Sequence, residues 1–120
     1  MQQEPDDTSF LPIPSASFLI LVALGDGPKH GYALMGVIED VSDGTVRMGP
    51  GTLYGAIKKL LGDGLIEESD ERPDPTLDDE RRRYYQLTAL GSRVATAETR
   101  RLSALVRHAN TRLPRLGRLA

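Results

Sequence analysis

The chain has 120 residues, a formal net charge of −2 at pH 7 and no cysteine. This length allows one small domain, or one domain with a helical extension. The lack of cysteine excludes disulfides, thiolate metal sites and thiol catalysis, and it is typical of proteins from a reducing compartment.

The first seven residues are acidic and polar, so they do not resemble the basic and apolar start of a signal peptide. The longest apolar run, residues 18–24, is too short to span a bilayer. We therefore expect a cytoplasmic protein with no membrane partner.

Charge is distributed unevenly. Residues 67–80 contain eight acidic residues and one arginine, residues 81–83 are three arginines, and residues 84–120 contain seven arginines and one glutamate. The acidic net charge argues weakly against nucleic acid as a partner. An acidic segment between basic ones is nevertheless compatible with a local DNA-facing patch.

The first predicted element is a helix that begins at the candidate N-cap Ser15 and ends at Gly25, after a disordered tail at residues 1–13. Residues 18–24 are apolar on nearly every side of this helix. Because a small domain can hardly cover all sides, we expect a partner subunit to cover part of it.

A second helix is predicted at residues 30–41, and a third begins at Pro50, a residue suited to the first turn of a helix. The third helix has a regular apolar face, with spacings of three and four, that consists of Leu53, Ile57, Leu60 and Leu61. Gly62 and Gly64 are predicted to end it in the left-handed conformation.

The opposite face of the third helix carries Thr52, Gly55, Lys58 and Lys59. A face that is small, hydroxylated and basic suits a helix lying in the major groove of DNA. Many ordinary solvated helices also carry lysines, so both interpretations remain open at this point.

Two strands are predicted after the third helix, at residues 65–69 and 84–87, with a flexible acidic loop between them. Three helices followed by a β-hairpin form a winged helix-turn-helix. The predicted fold class is therefore mainly α with a small β-hairpin. It comprises a winged helix-turn-helix domain at residues 14–87 and a long C-terminal dimerisation helix at residues 88–113, followed by a tail at residues 114–120.

The last helix has a single apolar stripe, and arginines cover much of the rest. Such a helix needs something to pack on, and a second copy of the chain is the simplest partner. We predict a homodimer whose interface contains Phe18, Leu21, Val94, Leu102, Leu105, Val106 and Ala109.

Three segments, in this order, resemble the PadR family of bacterial transcriptional regulators in its short form with a single C-terminal helix. Residues 27–34, Gly-Pro-Lys-His-Gly-Tyr-Ala-Leu, resemble the segment that follows the family's first helix. Residues 51–60 with Gly64-Leu65-Ile66 resemble its recognition helix, and residues 82–88 with Gly91 resemble the wing strand that leads into the last helix. The resemblance covers about residues 16–110.

This resemblance implies a homodimer, formed by the first and last helices, that binds a near-palindromic operator, usually as a repressor. Two recognition helices related by a two-fold axis would read half-sites roughly 34 Å apart. The chain departs from the family in its acidic wing loop, which phosphates would repel. It also has no tryptophan, which argues against the binding of flat aromatic drugs between tryptophans that some short members show.

The candidate DNA contacts form two groups. Thr52, Lys58 and Lys59 come first, because a threonine can meet a base edge and a lysine suits phosphate. Gly55 either lets the helix backbone enter the groove deeply or avoids a clash inside the protein. The second group could instead serve packing or pairing with loop acids, and it consists of Tyr54, Tyr32, Lys29, His30, Arg82 and Arg83.

Catalytic and metal-binding patterns are missing from the sequence. His30 and His108 are the only histidines, and there is no nucleophile elbow, phosphate loop or metal-ligand spacing. The acidic residues at 67–80 lack the spacing of a calcium loop. We therefore expect no enzyme activity, no cofactor and no metal.

The leading hypothesis is a sequence-specific, dimeric DNA-binding regulator. One alternative is a protein-interaction module on a winged-helix scaffold that has lost DNA binding. A further hypothesis, compatible with the first, adds a small apolar effector bound in a dimer groove lined by Phe18, Val94 and Leu102.

Overall fold

The structure is a computed structural model that describes residues 7–70 and 83–114. In chain order it contains a 3-10 helix at Asp7–Phe10, α1 at Ser15–Ala23, β1 at Lys29–His30, α2 at Gly31–Val41, α3 at Pro50–Gly62, β2 at Ile66–Ser69, β3 at Tyr84–Leu87 and α4 at Ala89–Arg112. This confirms the predicted fold class of a mainly helical winged helix-turn-helix. Residues 71–82 of the predicted acidic loop and residues 115–120 of the predicted tail lie outside the described residues, as do residues 1–6.

The core surrounds α1, which contacts α2, α3 and α4. Ile20 and Leu21 of α1 are completely buried, together with Leu34 of α2 and Leu53 of α3. Each such side chain contributes roughly 1.5–3 kcal/mol through its removal from water. The chain itself therefore covers much of α1, whereas Val22 is still 41% exposed. The expectation that a partner subunit covers part of this helix stays a prediction.

The sheet has three strands in the order β1-β3-β2, with antiparallel pairing throughout. The hairpin of β2 and β3 was predicted. Strand β1 was missed because it has only two residues, which is too short to show alternation. It pairs with β3 through Lys29 opposite Tyr85 and His30 opposite Tyr84, and it thus joins the start of α2 to the wing.

Two predicted helix ends are corrected. Pro14 is the N-cap of α1, and Ser15 is its first helical residue. At the end of α3, Gly64 has a φ of 75°, whereas Gly62 is still helical. Only one left-handed residue is needed to reverse the chain after a helix, and glycine adopts that conformation without steric cost.

The predicted disordered tail is partly wrong, because residues 7–13 are ordered against α4. The Ile13 N–H donates a hydrogen bond of 2.9 Å to the Glu98 carboxylate, and Asp7 pairs with Arg93 at 3.2 Å. Glu98 is only 1% exposed and also accepts bonds of 2.5 and 3.0 Å from Arg101. The Arg101 hydrogen bond, aided by that of Ile13, holds the pKa of Glu98 below its ordinary value despite burial.

Among the helices of the described residues, none combines the length and the apolar character needed to cross a membrane.

Candidate nucleic-acid interface

The structure divides α3 into two faces. Leu53, Ile57 and Leu60 are buried in the core. The four residues of the predicted outer face are all exposed, and they are Thr52, Gly55, Lys58 and Lys59. The structure thus brings the leading candidates together on one accessible surface.

This surface is basic because α3 contains two lysines and no acidic residue. Lys59 lies 3.4 Å from Asp63, the C-cap of the helix, and its side chain remains 63% exposed. An exposed ion pair of this kind is worth at most about 1 kcal/mol. A phosphate could therefore recruit Lys59 at little cost.

The backbone of α3 is bare along the same face. A methyl group added at Gly55, or at Gly51 one turn earlier, would meet no heavy atom of the described residues within 4 Å. The alternative that Gly55 avoids an internal clash is therefore wrong. A glycine inside a helix lowers stability by roughly 0.5–1 kcal/mol relative to alanine. Gly51 and Gly55 therefore destabilise α3 slightly, but they leave room for an external partner to approach its backbone closely. Sequence reasoning missed Gly51, although its spacing of four from Gly55 was a usable signal.

The beginning of α3 can also accept an anion. Its N-cap, Gly49, supplies no side-chain hydrogen bond, so the N–H groups of the first turn keep capacity for an external acceptor. The helix dipole adds partial positive charge at this end, which favours phosphate.

Tyr54 connects α3 to the start of α2. A methyl group at Gly31 would overlap the Tyr54 hydroxyl and lie 2.8 Å from the ring carbon Cζ, so the ring sits directly on the backbone of Gly31. Tyr54 is still 46% exposed, and Tyr32 beside Gly31 is exposed as well. The two candidate tyrosines therefore lie on the accessible surface near the first turn of α2. Sequence analysis quoted Gly31 only as part of the family motif and missed its contact.

Two other candidates have structural roles. His30 is 7% exposed, its Nδ1 accepts a hydrogen bond from the Ala33 N–H, and its ring meets that of Tyr84 edge-on at 5.3 Å. It caps α2 and packs in the core. The Lys29 side chain is only 17% exposed and pairs with Asp26. These contacts contradict His30 as a DNA contact and leave Lys29 little surface for one.

The base of the wing carries paired charges. Arg83 lies 3.2 Å from Glu68 on β2, with both side chains exposed, and Gln86 donates to Glu67 at 3.3 Å. Of the two roles considered for Arg83, a DNA contact or an ion pair with an acidic residue of the wing, the structure shows the ion pair. Arg82 lies outside the described residues. Tyr85 on β3 has a pKa raised above its ordinary value by burial, then by the nearby Tyr54 and Glu68, so it stays neutral.

An apolar groove runs between α1 and α4. It encloses about 440 Å³ and is lined by Phe18, Thr99, Leu102, Ser103, Val106 and Arg107. Val106 of this lining and its neighbour Leu105 are each 56% exposed. Two predicted interface residues do not belong here, because Leu21 and Val94 are fully buried in the core of their own chain and leave no surface for a partner.

Within residues 7–70 and 83–114, no group of three or more His, Cys, Asp or Glu side chains could hold a metal ion.

Comparison with known proteins agrees with this arrangement. A model of the transcriptional regulator PadR-like family matches residues 20–97. An uncharacterised 37.1 kDa protein in transposon TN4556 of Streptomyces fradiae is 38% identical over 90 residues. That match covers 75% of this chain but only 24% of the relative, so the chain spans about a quarter of the curated protein that it matches.

Two solved structures share the fold. A PadR family transcription regulator from Clostridium difficile has a TM-score of 0.65 and 22% identity, over 83% of this chain and 99% of that one. Bacillus subtilis PadR, solved in complex with operator DNA, has a TM-score of 0.57 and 21% identity, over 72% of this chain and 47% of that one. The family match spans more than half of the chain, α3 included. The chain therefore belongs to the PadR-like family of transcriptional regulators, and the predictions of this family and of a regulator instead of an enzyme are confirmed.

Proposed function

We propose that this chain is a sequence-specific regulator that binds duplex DNA as a homodimer, with α3 of each subunit in the major groove. The observation that carries the proposal is the outer face of α3, where Lys58, Lys59 and Thr52 surround the bare backbone of Gly51 and Gly55. Threonine suits base edges and lysine suits phosphates. Family membership and the operator complex of the similar Bacillus subtilis protein support this assignment.

The second half of α4 supports self-association. Leu105 and Val106 are more than half exposed, and they continue the apolar groove that Phe18 and Leu102 line beside α1. Exposed apolar side chains in a continuous strip favour a protein partner. If a second copy packs antiparallel against this strip, the strips of the two subunits cover each other, as a two-fold axis requires.

A dimer of this kind would bind a near-palindromic operator in the cytoplasm and repress transcription by occupying it. A small apolar effector could enter the α1–α4 groove, although the buried Val94 would not line it. Such a ligand would change DNA affinity only if it bound the free and the DNA-bound states unequally.

Fluorescence anisotropy with the duplex upstream of the protein's own gene tests the proposal. A shuffled duplex of equal length serves as control, and both are titrated across a salt series. We expect tight binding to the native duplex with a margin over the shuffled one at moderate salt. If the protein binds both duplexes equally and salt abolishes the binding, the interaction is charge attraction alone, or the operator lies elsewhere.

Replacing Lys58 and Lys59 by alanine should weaken binding to all duplexes. It should also reduce the salt slope by about 0.9 for each phosphate that the variant no longer neutralises. The matched control replaces Arg100 and Arg112 on α4 by alanine. These two arginines are also exposed, and their replacement removes the same amount of charge. If both double variants lose affinity equally, α3 is not the docking element.

No binding at low salt would favour the protein-interaction module instead. This second function is favoured by the acidic surface of the wing, where Glu67 and Glu68 are both exposed on β2. In that case the protein should remain a stable dimer and co-purify with a protein partner.

A further inference from the structure

The end of α3 and the beginning of α4 are joined by a compact set of hydrogen bonds. The Thr88 N–H donates to the Leu65 carbonyl at 3.1 Å, and the Thr88 hydroxyl donates to the Gly64 carbonyl at 2.7 Å. The same hydroxyl accepts the Gly91 N–H at 2.9 Å. We call these four residues, Gly64, Leu65, Thr88 and Gly91, the α3–α4 joint.

Within the joint, the backbone of Gly91 is in van der Waals contact with the backbone of Leu65. A methyl group at Gly91 would overlap the Leu65 carbonyl oxygen and lie 2.8 Å from its carbonyl carbon. The first turn of α4 therefore lies directly on the backbone of Leu65. Only glycine permits this approach, because any β-carbon would have to push the two backbones apart.

The joint is fixed to α3 itself. The Leu65 N–H donates to the Leu60 carbonyl at 3.0 Å, and the Gly64 N–H donates to the Leu61 carbonyl at 3.1 Å. Leu60 and Leu65 are each buried in the core. An unbroken series of hydrogen bonds thus connects the last turn of α3 to the first turn of α4.

The length of α4 amplifies any change at the joint. With 24 residues the helix is about 36 Å long, at a rise of about 1.5 Å per residue. A tilt of about 10° at its start would displace its far end by about 6 Å, close to two base-pair steps of DNA at about 3.4 Å each. The apolar strip proposed for dimer contact lies towards that far end, at Leu105 and Val106.

We propose that Thr88 is a positioning residue for operator recognition: through the α3–α4 joint it fixes the angle between α3 and α4, and thereby the distance between the two recognition helices of a dimer. The spacing of operator half-sites is then set at this joint, by residues that are not on the DNA-facing side of α3. The inference rests on the proposed dimeric function.

Two substitutions separate this role from ordinary helix capping. Thr88→Asp keeps an excellent N-cap acceptor for Gly91, but an ionised carboxylate cannot donate to the Gly64 carbonyl. Thr88→Ser keeps both hydrogen bonds. Thr96→Asp is the charge-matched control, since Thr96 is exposed on α4 and its hydroxyl donates to the Ser92 carbonyl of the same helix.

The first measurement is the distance between spin labels in the DNA-free dimer. The chain has no cysteine, so Gly62→Cys gives one label per subunit at the exposed end of α3, where a β-carbon would meet nothing among the described residues within 4 Å. We expect one narrow distance distribution for the labelled parent, for Thr88→Ser and for Thr96→Asp. Thr88→Asp should shift or broaden it by several ångström, with far-UV circular dichroism unchanged.

The second measurement selects binding sites from a random duplex pool. Thr88→Asp should select the same half-site sequence as the parent with altered or mixed spacing, because α3 is untouched. Simple destabilisation would lower recovery without changing the spacing. Should Thr88→Asp lose helicity, Thr88→Gly is compared with Thr88→Ser under the same expectation, because glycine lacks the hydroxyl but is tolerated at an N-cap.

Identical distances and identical spacing in Thr88→Asp and Thr88→Ser would overturn the inference and leave the proposed function intact. A parent protein with no inter-label distance is a monomer, and a parent that selects no sites does not read DNA. Either result would overturn the proposed function and this inference together.

Discussion

Replacing Gly91 by alanine should destabilise the protein, although alanine is the better helix former by about 0.8–1.0 kcal/mol. Gly91 is the third residue of α4 and lies against the Leu65 backbone. The new methyl group would stand 2.8 Å from the Leu65 carbonyl carbon. Carbon atoms pack at about 3.5–4.0 Å, so the two backbones must separate by at least about 1 Å, and the carbonyl oxygen, which would lie nearer still, requires more.

That separation has two costs. It stretches the 3.1 Å hydrogen bond from Thr88 to the Leu65 carbonyl, and a buried acceptor without its donor costs about 1–3 kcal/mol. It also shifts Leu65, which is 2% exposed in the core, and overpacking of this kind costs about 1–3 kcal/mol. After the helix-propensity gain is subtracted, we expect a net loss of about 1–5 kcal/mol in the free energy of unfolding.

Gly36→Ala is the matched control, because Gly36 is an exposed residue inside α2 and an added methyl group would meet nothing among the described residues within 4 Å. It should stabilise the protein by up to about 1 kcal/mol. Urea unfolding followed by circular dichroism, at one protein concentration because a dimer's stability depends on it, measures both variants. If Gly91→Ala proves as stable as Gly36→Ala, the close approach of α4 to Leu65 is wrong.

The remaining predictions concern Glu98, Gly31 and Val106. Glu98→Ala should lower the free energy of unfolding by about 2 kcal/mol, and limited proteolysis should then cut residues 7–13 sooner; equal cleavage rates would count against this anchor. Because the folded-state pKa of Glu98 is lowered, its contribution is present above its unfolded value of about 4.3 and is lost as pH falls through the folded value. Acid should therefore destabilise the parent more than Glu98→Ala, which pH-dependent urea unfolding can check. Gly31→Ala should displace Tyr54 and weaken DNA binding in the anisotropy assay, and unchanged affinity would argue against a role for this contact. Val106→Asp should yield monomers in sedimentation velocity, whereas a persistent dimer would remove the α4 strip from the interface.

The two faces of α3 were predictable because they depend on the chain's own periodicity. Leu53 and Ile57 recur with the helical period, and the structure buries both. Thr88 and the beginning of α4 were predicted within a residue for the same local reason. The family was recognisable because Gly51–Tyr54 and the other short motifs are also local.

The candidates that failed depend on neighbours that the local pattern does not specify. His30 has the sequence features of a surface residue at a helix start, yet Tyr84, more than 50 positions along the chain, covers its ring. Residues 7–13 have the composition of a tail, yet the Glu98 carboxylate holds Ile13 from 85 positions away. Leu21 and Val94 had the apolar character of an interface, but the core of their own chain buries them.

The sequence by itself determined which side of α3 and of α4 is apolar, where both helices begin, and the family, because these properties arise from residues within a few turns of one another. Only the tertiary structure decided which apolar sides are covered by the chain and which remain for a partner. It also decided that Gly31 and Gly91 are sites of backbone contact, whereas Gly51 and Gly55 face open space. The physical reason is that periodicity gives the direction of a side chain, while burial depends on what the fold places opposite it.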